Sequence, residues 1–340
     1  MASPKNILDL SFDEISFFLK SINEKAFHSR QIFDWIYHKG ILDFDGMKNL
    51  SRDLRLVLKT NFYFPETPIL KESLNKDKTG KYLFGLPDGQ KIETVLIPAA
   101  GRLTICVSSQ VGCKFACAFC ASGIGGWKRN LSSGEMLMQI LQAQSLSKSK
   151  VTHVVFMGMG EPLDNWDEVR KAIETINSPG GLNIAARRIT VSTCGIPDKI
   201  DAVADFGRQI ELAVSLHGYN DEVRSKLMPI NKRYPLAVLV QACRKYVRRT
   251  NRQVTFEYIV IPDVTMTAEA PKALAGLLRG FQCKINLIPY NIVEEFPWTT
   301  PSPRAVYRFR DELISLGVHT TIRWSKGLGA DGACGQLRRK

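Results

Sequence analysis

The chain has 340 residues, of which 46 are Lys or Arg and 33 are Asp or Glu, so its formal net charge is +13. With 44% hydrophobic residues it can bury a full core, which excludes a disordered tail and a low-complexity array. The length allows one large α/β domain with a small companion. No run reaches the roughly 18 apolar residues of a transmembrane helix, and no basic segment followed by an apolar run opens the sequence. We therefore expect a cytoplasmic protein without a membrane partner.

The first sixty residues predict a small helical unit. Ser11 and Glu14 have the spacing of a capping box, and apolar residues then recur at helical intervals. A second short helix is predicted around residues 30–38, and Ser51 is placed to cap a third. This unit is either a packing module or an accessory domain for nucleic acid.

From Lys81 onward the pattern changes from helix to strand. Two apolar runs flank Pro87-Asp88-Gly89, which is a turn signal between short strands. Beyond them β-branched runs alternate with helical patterns, which indicates a parallel sheet, open or curled into a full or partial barrel. Strands are predicted at 103–108, 152–157, 188–193, 210–215, 254–261, 284–288 and 319–323, and helices near 131–146, 166–177, 198–205, 235–249, 269–280 and 303–316.

These patterns divide the chain into three parts. We assign residues 1–65 to an N-terminal helical accessory domain, residues 66–98 to a β-hairpin linker, and residues 99–340 to the α/β core. In such cores ligands bind at the C-terminal ends of the strands. Functional residues are therefore expected just after each strand.

The positive charge is concentrated in two C-terminal segments. Residues 224–256 contain nine basic residues and no acidic one, and residues 301–340 contain eight basic and three acidic residues. Arg244, Lys245, Arg248 and Arg249 lie near the end of a predicted helix. Such a local excess suits a polyanion, most simply nucleic acid, with an ordinary solvated basic surface as the alternative.

Three cysteines follow the strand predicted at 103–108. Cys113, Cys117 and Cys120 form a C-x3-C-x2-C pattern, so three thiolates can reach one inorganic centre from a single loop. A structural zinc site needs four protein ligands, and the sequence shows no fourth nearby. A [4Fe-4S] cluster bound by three cysteines leaves one iron open for a cofactor or substrate. The spacing therefore favours such a cluster over zinc or over three buried apolar cysteines.

This cysteine loop resembles the hallmark of the radical S-adenosylmethionine (SAM) superfamily. There the open iron chelates SAM, and an added electron releases a 5′-deoxyadenosyl radical. Gly160 and Glu161, in GMGEP after the next strand, stand where the superfamily has its Gly-Glu cofactor motif. The resemblance further implies cofactor contacts from Ser192, Ser215, Leu216, His217 and Asn291, all at predicted strand ends.

Blocks along nearly the whole chain resemble one family of that superfamily, the RlmN-type dual-specificity RNA methyltransferases with their relative Cfr. Among these blocks are IETVLIP at 92–98, CVSSQVGC at 106–113, GMGEPLDN at 158–165 and ACGQL at 333–337. Trp127 and the segment 259–270 depart from the family pattern. The resemblance implies an α/β fold, a partial (β/α)6 radical SAM barrel with a small N-terminal helical domain and a short β extension.

The resemblance also implies methylation of an adenine at carbon C2. That carbon lies between two ring nitrogens and is too electron-poor to attack a methyl donor, so a carbon radical must add to it. Two SAM molecules are used per turnover: the first methylates Cys334, and the second supplies the radical that removes hydrogen from that methyl group. Glu93 matches the family's proton acceptor. Cys106 matches the thiol that attacks the Cys334 sulfur, releasing the product and forming a transient disulfide.

The implied partners are large-subunit ribosomal RNA, tRNA and an electron donor such as flavodoxin or ferredoxin, with the enzyme acting as a monomer. Two alternatives stay open. A Cfr-like enzyme would methylate C8 with the same residues, whereas a non-catalytic iron–sulfur RNA-binding protein would not need Cys334. Cys194, Cys243 and Cys283 are predicted to be packing residues.

Overall fold

The computed structural model describes residues 3–327 and 332–338. Its N-terminal part is helical, as predicted. The elements are β1 (Lys5–Asn6), α1 (Phe12–Ser21), α2 (Phe27–Phe33), a π-helical turn (Asp34–His38), α3 (Arg52–Asn61) and β2 (Phe62–Tyr63). Ser11 and Glu14 form the predicted capping box, and Ser51 caps α3 through the amide of Leu54. The second helix begins at Phe27, three residues earlier than predicted.

The helical part contacts the rest of the chain through a helix N-terminus. The Asp9 carboxylate accepts a hydrogen bond of 2.7 Å from the amide of Gly134, in the first turn of α4 (Ser133–Ser147). A Cβ on Gly134 would lie 2.5 Å from the Asn6 side chain, so only glycine allows this approach. Burial raises the pKa of Asp9.

An antiparallel extension precedes the barrel. It consists of β3 (Ile69–Leu74), β4 (Gly80–Gly85) and β5 (Lys91–Ala99). The turn between β4 and β5 is the predicted one, and Gly89 adopts a φ of +78° there. Strand β3 was not predicted from the sequence, because this edge strand is almost wholly exposed and lacks an apolar alternation.

The barrel alternates strands and helices in the predicted order. Its strands are β6 (Arg102–Cys106), β7 (Gln110–Val111), β8 (Arg129–Asn130), β9 (His153–Phe156), β10 (Ile189–Thr193), β11 (Glu211–Ser215), β12 (Val254–Val260), β13 (Cys283–Pro289) and β14 (Thr320–Ile322). After α4 its helices are α5 (Trp166–Asn177), α6 (Pro197–Asp205), α7 (Asp221–Leu227), α8 (Leu236–Thr250), α9 (Ala270–Leu278) and α10 (Pro303–Ser315). Every predicted core strand and helix is present within two residues of its predicted bounds; α7 was not predicted.

One ten-stranded sheet runs through the extension and the barrel in the order β3-β4-β5-β6-β9-β10-β11-β12-β13-β14. From β6 onward each strand is parallel to its neighbour, whereas β3 to β6 are antiparallel. In the described part of the chain β3 and β14 are the two edge strands of this sheet and do not pair with each other, so the barrel is open. Six helical crossovers join seven parallel strands, which matches the predicted partial barrel with one further strand.

The sheet has a packed face against the helices and a concave inner face. Ile105, Val154, Val191 and Val214 are buried in the core. In a parallel sheet all C-terminal strand ends meet at one edge, so the residues after β6 and β9 to β13 converge there. Within the described residues, no helix is long and apolar enough to cross a membrane. The domain boundaries 1–65, 66–98 and 99–340 stay a prediction.

Candidate active site

The three predicted cluster cysteines lie in one loop that is closed by a short hairpin. β7 pairs with β8, and the loop between them contains Cys113, Cys117 and Cys120. Gly112 has a φ of +78°, and a Cβ on it would lie 1.9 Å from the Gly126 carbonyl oxygen. Glycine is therefore required where the loop closes.

The loop faces a small cavity of about 150 Å³, here called the cofactor cavity. The C-terminal ends of the parallel strands β9, β10, β11 and β13 contribute to it together with the loop and the C-terminal segment. Its lining includes the residues predicted from sequence, namely Cys113, Cys117, Cys120, Gly160, Glu161, Ser192, Ser215, His217 and Cys334. Leu216 is buried outside this lining, and Asn291 instead donates a 2.9 Å hydrogen bond to the Cys334 carbonyl oxygen. Cys194, expected to be a packing residue, also lines the cavity.

The three loop thiols fit a cluster better than a single metal ion. Burial raises the pKa of each, to about 12 at Cys113, so they stay neutral unless a cation binds them. Among the residues described, no three His, Cys, Asp or Glu side chains converge as ligands of one ion. A [4Fe-4S] cluster binds each thiolate through a different iron and so accepts a wider spacing. The donor set fits such a cluster.

Glu161 is a buried carboxylate that fixes two loops. Its Oε1 accepts from the Leu163 amide at 3.0 Å, and its Oε2 accepts from the Cys194 amide at 2.7 Å. Burial raises the pKa of Glu161, and the two hydrogen bonds only partly offset that rise. Gly160, with a φ of +100°, packs so closely on Gln110 that a Cβ would lie 2.5 Å from it. These contacts hold the Gly-Glu motif at the cavity wall.

His217 is held as a neutral ring. Its Nδ1 accepts a 3.0 Å hydrogen bond from the Ile259 amide, so the proton of the neutral ring is on Nε2. Burial, with the nearby Arg224 cation, lowers its pKa to about 3. Its ring packs edge-on against Phe119. His217 can therefore donate one hydrogen bond into the cofactor cavity without carrying charge.

Cys334 lies between the cofactor cavity and a second, larger cavity. The second cavity, here called the barrel cavity, has a volume of about 530 Å³ and is lined by both Cys106 and Cys334. Burial, and secondarily the nearby Cys334, raise the pKa of Cys106 to about 12. The Arg323 guanidinium lines both cavities and attracts both sulfurs. The two thiols that are predicted to react with each other therefore line the same cavity.

The segment that carries Cys334 is tied to the cluster loop. The amide of Ala121 donates to the Gly335 carbonyl at 2.7 Å, and Ser122 Oγ donates to the Leu337 carbonyl at 2.7 Å. The Gly and Ala around Cys334 would permit a mobile loop, which stays a prediction. In the structure these two hydrogen bonds hold Gly335 and Leu337, on the C-terminal side of Cys334.

Glu93 lies outside both cavities, beside the same segment. Its Oε1 is 3.0 Å from Lys81 Nζ, and its Oε2 accepts from the Arg338 amide at 2.6 Å. Burial raises the pKa of Glu93, and Lys81 partly offsets the rise. A third cavity of about 380 Å³ lies next to it, lined by Ser122, Met159 and Arg338.

Arg224 is a site residue that sequence reasoning placed wrongly. The basic segment 224–256 was expected to face a polyanion, but Arg224 is completely buried. Its guanidinium donates to the carbonyl oxygens of Leu216, Cys194 and Ser215 and to Asn231 Oδ1, at 2.7 to 3.2 Å. It therefore links the loops after β10 and β11, which contribute Cys194 and Ser215 to the lining of the cofactor cavity. Only its position in the sequence SLHGYNDEVR (215–224), which begins at the end of a predicted strand, could have indicated this role.

We expect Arg224→Met to destabilise the fold and to weaken SAM binding. Several buried carbonyl oxygens would lose their donor, which costs about 3 to 5 kcal/mol in free energy of unfolding. Denaturant unfolding measures the loss of stability, and calorimetry measures the loss of affinity for SAM. Arg248→Met, a change of an exposed Arg on the same segment, serves as the control and should stay within about 0.5 kcal/mol. Equal stability of the two variants would contradict the role of Arg224.

Three other cations of that segment contact groups within the chain. Lys245 is 2.7 Å from Asp201, Arg249 pairs with Asp205, and Arg244 stacks on the Phe281 ring. They lie at the C-terminal end of α8, which leads into the start of β12, opposite the edge with the cluster loop. Contact of these residues with nucleic acid stays a prediction, with an ordinary basic surface as the alternative.

Comparison with known proteins identifies the family. Residues 107–270 match the model of the radical SAM superfamily, and residues 5–63 match that of the ribosomal RNA large subunit methyltransferase N-terminal domain. A relative from Clostridium novyi (strain NT), described as "Probable dual-specificity RNA methyltransferase RlmN", is 44% identical over 336 residues, or 98% of each chain. The chain belongs to the RlmN family. Another RlmN relative, from Clostridioides difficile (strain 630), is 46% identical over 329 residues, or 96% of each chain.

A solved structure shares the whole RlmN fold. The crystal structure of a radical SAM methyltransferase from Sphaerobacter thermophilus matches with a TM-score of 0.95 and 41% identity, over 99% of this chain and all of the other. The predicted radical SAM barrel, the methyltransferase class and the cofactors, a [4Fe-4S] cluster and SAM, are thereby confirmed. The roles of single site residues stay predictions.

Proposed function

We propose that this RlmN-family enzyme methylates C2 of one adenine in large-subunit ribosomal RNA and of one in tRNA. One observation carries the proposal: Cys334 lines the cofactor cavity on one side and shares the barrel cavity with Cys106 on the other. A thiol between the cofactor and a second thiol can take a methyl group on one side and form a disulfide on the other. Flavodoxin or ferredoxin as electron donor, and the monomeric state, are proposed on the family resemblance alone.

The three cysteines of the loop would hold the cluster, and Gly160, Glu161 and His217 would bind SAM. Bound there, the cluster and SAM supply a methyl group and a 5′-deoxyadenosyl radical. Cys334 accepts the methyl group on its sulfur. Asn291 and the Ala121 amide hold the carbonyl oxygens of Cys334 and of the next residue, Gly335, which keeps the sulfur in place for each step.

Two further residues release the product from the covalent RNA adduct on Cys334. Glu93 takes the proton from C2, and the one electron that the radical adduct must also lose would return to the cluster. Cys106 attacks the Cys334 sulfur, so a sulfur–sulfur bond forms as the carbon–sulfur bond breaks, and the released carbon takes up a proton to complete the methyl group. An adenine unstacked from its RNA can approach through the third cavity, beside Glu93.

The pH dependence of product release tests Glu93. A base must be deprotonated to act, so release falls as pH falls through the raised pKa of Glu93, at higher pH than for an ordinary carboxyl. Lys81→Met removes the cation that lowers this pKa, so the fall should shift to higher pH. Single-turnover methylation over a pH series measures the shift. The exposed Lys71→Met is the control, and an unchanged profile in Lys81→Met would exclude Glu93 as the base.

RNA contacts are proposed at the edge of the sheet that carries the cluster loop. Trp127 is 44% exposed on the cluster loop, and Lys114 Nζ is 5.9 Å from its ring. Lys226 and Arg233 follow β11 and contact the rings of Trp298, which follows β13, and of Tyr234, on the same edge of the sheet. Exposed aromatic and cationic side chains together suit stacking of unpaired bases and contact with phosphates.

Mass spectrometry of nucleosides after anaerobic reaction tests the function. Ribosomal RNA and tRNA are each incubated with the reconstituted enzyme, SAM and a reductant. We expect 2-methyladenosine in both RNAs, and none with Cys117→Ala, which lacks a cluster ligand. 8-Methyladenosine instead would establish the Cfr-like alternative. Unmodified RNA that is nevertheless bound would establish a non-catalytic RNA-binding protein.

A further inference from the structure

The barrel cavity opens at the edge of the sheet opposite the cofactor cavity. Its outer lining comes from the starts of parallel strands, including Thr190, Thr255 and Lys284, with the exposed Arg102 and Lys326 beside them. Cys106, at the C-terminal end of β6, lies at its inner end. The cavity therefore runs from solvent through the barrel to the two thiols.

Among the residues that the structure describes, four line both the barrel cavity and the cofactor cavity. They are Met157, Glu257, Arg323 and Cys334. Asn286 donates to Glu257 at 3.1 Å, and Arg323 Nη1 is 3.1 Å from Met157 Sδ. This layer of side chains separates the two spaces. A molecule in the barrel cavity can thus reach the Cys334 sulfur without displacing SAM.

The barrel cavity has an excess of positive charge. Counted over the described residues, its lining contains four cations, Arg102, Lys284, Arg323 and Lys326, and two carboxylates, Glu211 and Glu257, so 4 − 2 leaves +2. Glu211 is further neutralised by an ion pair with Arg252 outside the lining. An anionic molecule is favoured over a cationic one of the same size. The volume of about 530 Å³ accommodates a small molecule but no protein domain.

We propose that the barrel cavity binds the small anionic thiol that reduces the Cys106–Cys334 disulfide. The inference rests on the proposed function, which forms that disulfide at every turnover. It gives the reductant its own entrance, on the side that neither SAM nor RNA uses. The ligand class is a low-molecular-weight thiol carrying a carboxylate or sulfonate.

The exchange balances with two thiols. A first thiolate attacks the half-buried Cys334 sulfur, forming a mixed disulfide and releasing the Cys106 thiolate next to the Arg323 cation. A second thiolate attacks the sulfur of the small molecule and releases the Cys334 thiolate. Each protein thiolate takes up a proton, and the two small thiols leave as one oxidised disulfide.

The test compares small thiols of different charge on the oxidised enzyme. The Cys106–Cys334 disulfide is first verified by peptide mass mapping; if it does not form, the proposed function fails before this inference is reached. Reduction by 2-mercaptoethanesulfonate, 2-mercaptoethanol and cysteamine is then followed by quenching with an alkylating agent, and rates are compared per thiolate. We expect the anionic thiol to react about tenfold faster than the cationic one at low ionic strength, with the ratio falling as salt is added.

Two variants and one matched control locate the entrance. Lys284→Glu lowers the net charge of the lining from +2 to 0 and should bring the ratio close to one, whereas Thr255→Trp should slow all three thiols by filling the cavity. Lys128→Glu makes the same charge change on the exposed cluster loop and should leave the ratio unchanged. A ratio that responds to Lys128→Glu and ignores Lys284→Glu would overturn the proposal.

Bound RNA provides a second criterion that does not depend on any variant. With a large-subunit ribosomal RNA transcript bound at saturation, reduction by 2-mercaptoethanesulfonate should proceed at the rate seen without RNA. A strong block by RNA would place the entrance on the RNA side and refute this inference, while leaving the methylation chemistry intact.

Discussion

Cys334→Ala is expected to abolish RNA methylation while leaving the cluster and SAM binding intact. In the proposed reaction the methyl carbon reaches RNA only through the Cys334 sulfur, so no parallel route remains, and the loss should exceed about a thousandfold. Ala keeps the backbone contacts of this segment, because the Asn291 and Ala121 hydrogen bonds use carbonyl oxygens. Mass spectrometry should detect S-methylcysteine in the wild-type peptide around residue 334 and methylated nucleosides in its RNA, with neither in the variant.

Cys283→Ala provides the matched control. Cys283 is a half-buried thiol at the start of β13 and lines none of the three cavities of the site. Its loss should leave methylation at the wild-type rate. Absorbance of the cluster and the SAM affinity are measured for both variants, so that a lost cofactor is not mistaken for lost chemistry. Methylated RNA from Cys334→Ala would refute the proposed reaction.

The barrel could be predicted because its determinants are local. Runs of β-branched residues such as those of β10 and β12 become buried strands in any parallel sheet, and the helices between them have their own periodicity. Since all the C-terminal strand ends meet at one edge, the predicted site residues had to lie close together. The exposed strand β3 escaped prediction because it is formed by pairing with β4 and not by an apolar pattern.

The charge pattern was less informative, because pairing partners come from distant parts of the chain. Arg224 is buried by carbonyl oxygens of loops that follow other strands, and Arg249 is paired with an acid on α6. A count of Lys and Arg along a segment cannot include such acids and carbonyls. The same applies to Cys334, whose segment is held by contacts with residues more than two hundred positions earlier. Burial and long-range pairing, which only the fold determines, decided these cases.

Cys106→Ala should trap the reaction after the carbon–carbon bond forms. Attachment of the Cys334 methylene to adenine needs the radical and Cys334, but not Cys106. Release needs a second thiol, and in the described structure the thiol that shares the barrel cavity with Cys334 is that of Cys106. We therefore expect a covalent RNA–protein adduct that resists denaturation, about one per enzyme, and almost no free methylated RNA.

Denaturing gel electrophoresis of labelled RNA measures the adduct, and nuclease digestion with peptide mass spectrometry locates it at Cys334. The double variant Cys106→Ala/Cys334→Ala is the control and should give no adduct, because the acceptor of the RNA is gone. Burial with a pKa raised to about 12 means that Cys106 is a poor nucleophile until its proton is removed or Arg323 stabilises the thiolate. The methylated Cys334 is not attacked before the adduct exists, because a methyl carbanion cannot leave from its sulfur, whereas the carbon attached to adenine can. Free methylated RNA formed by Cys106→Ala at the wild-type rate would show that release needs no second thiol.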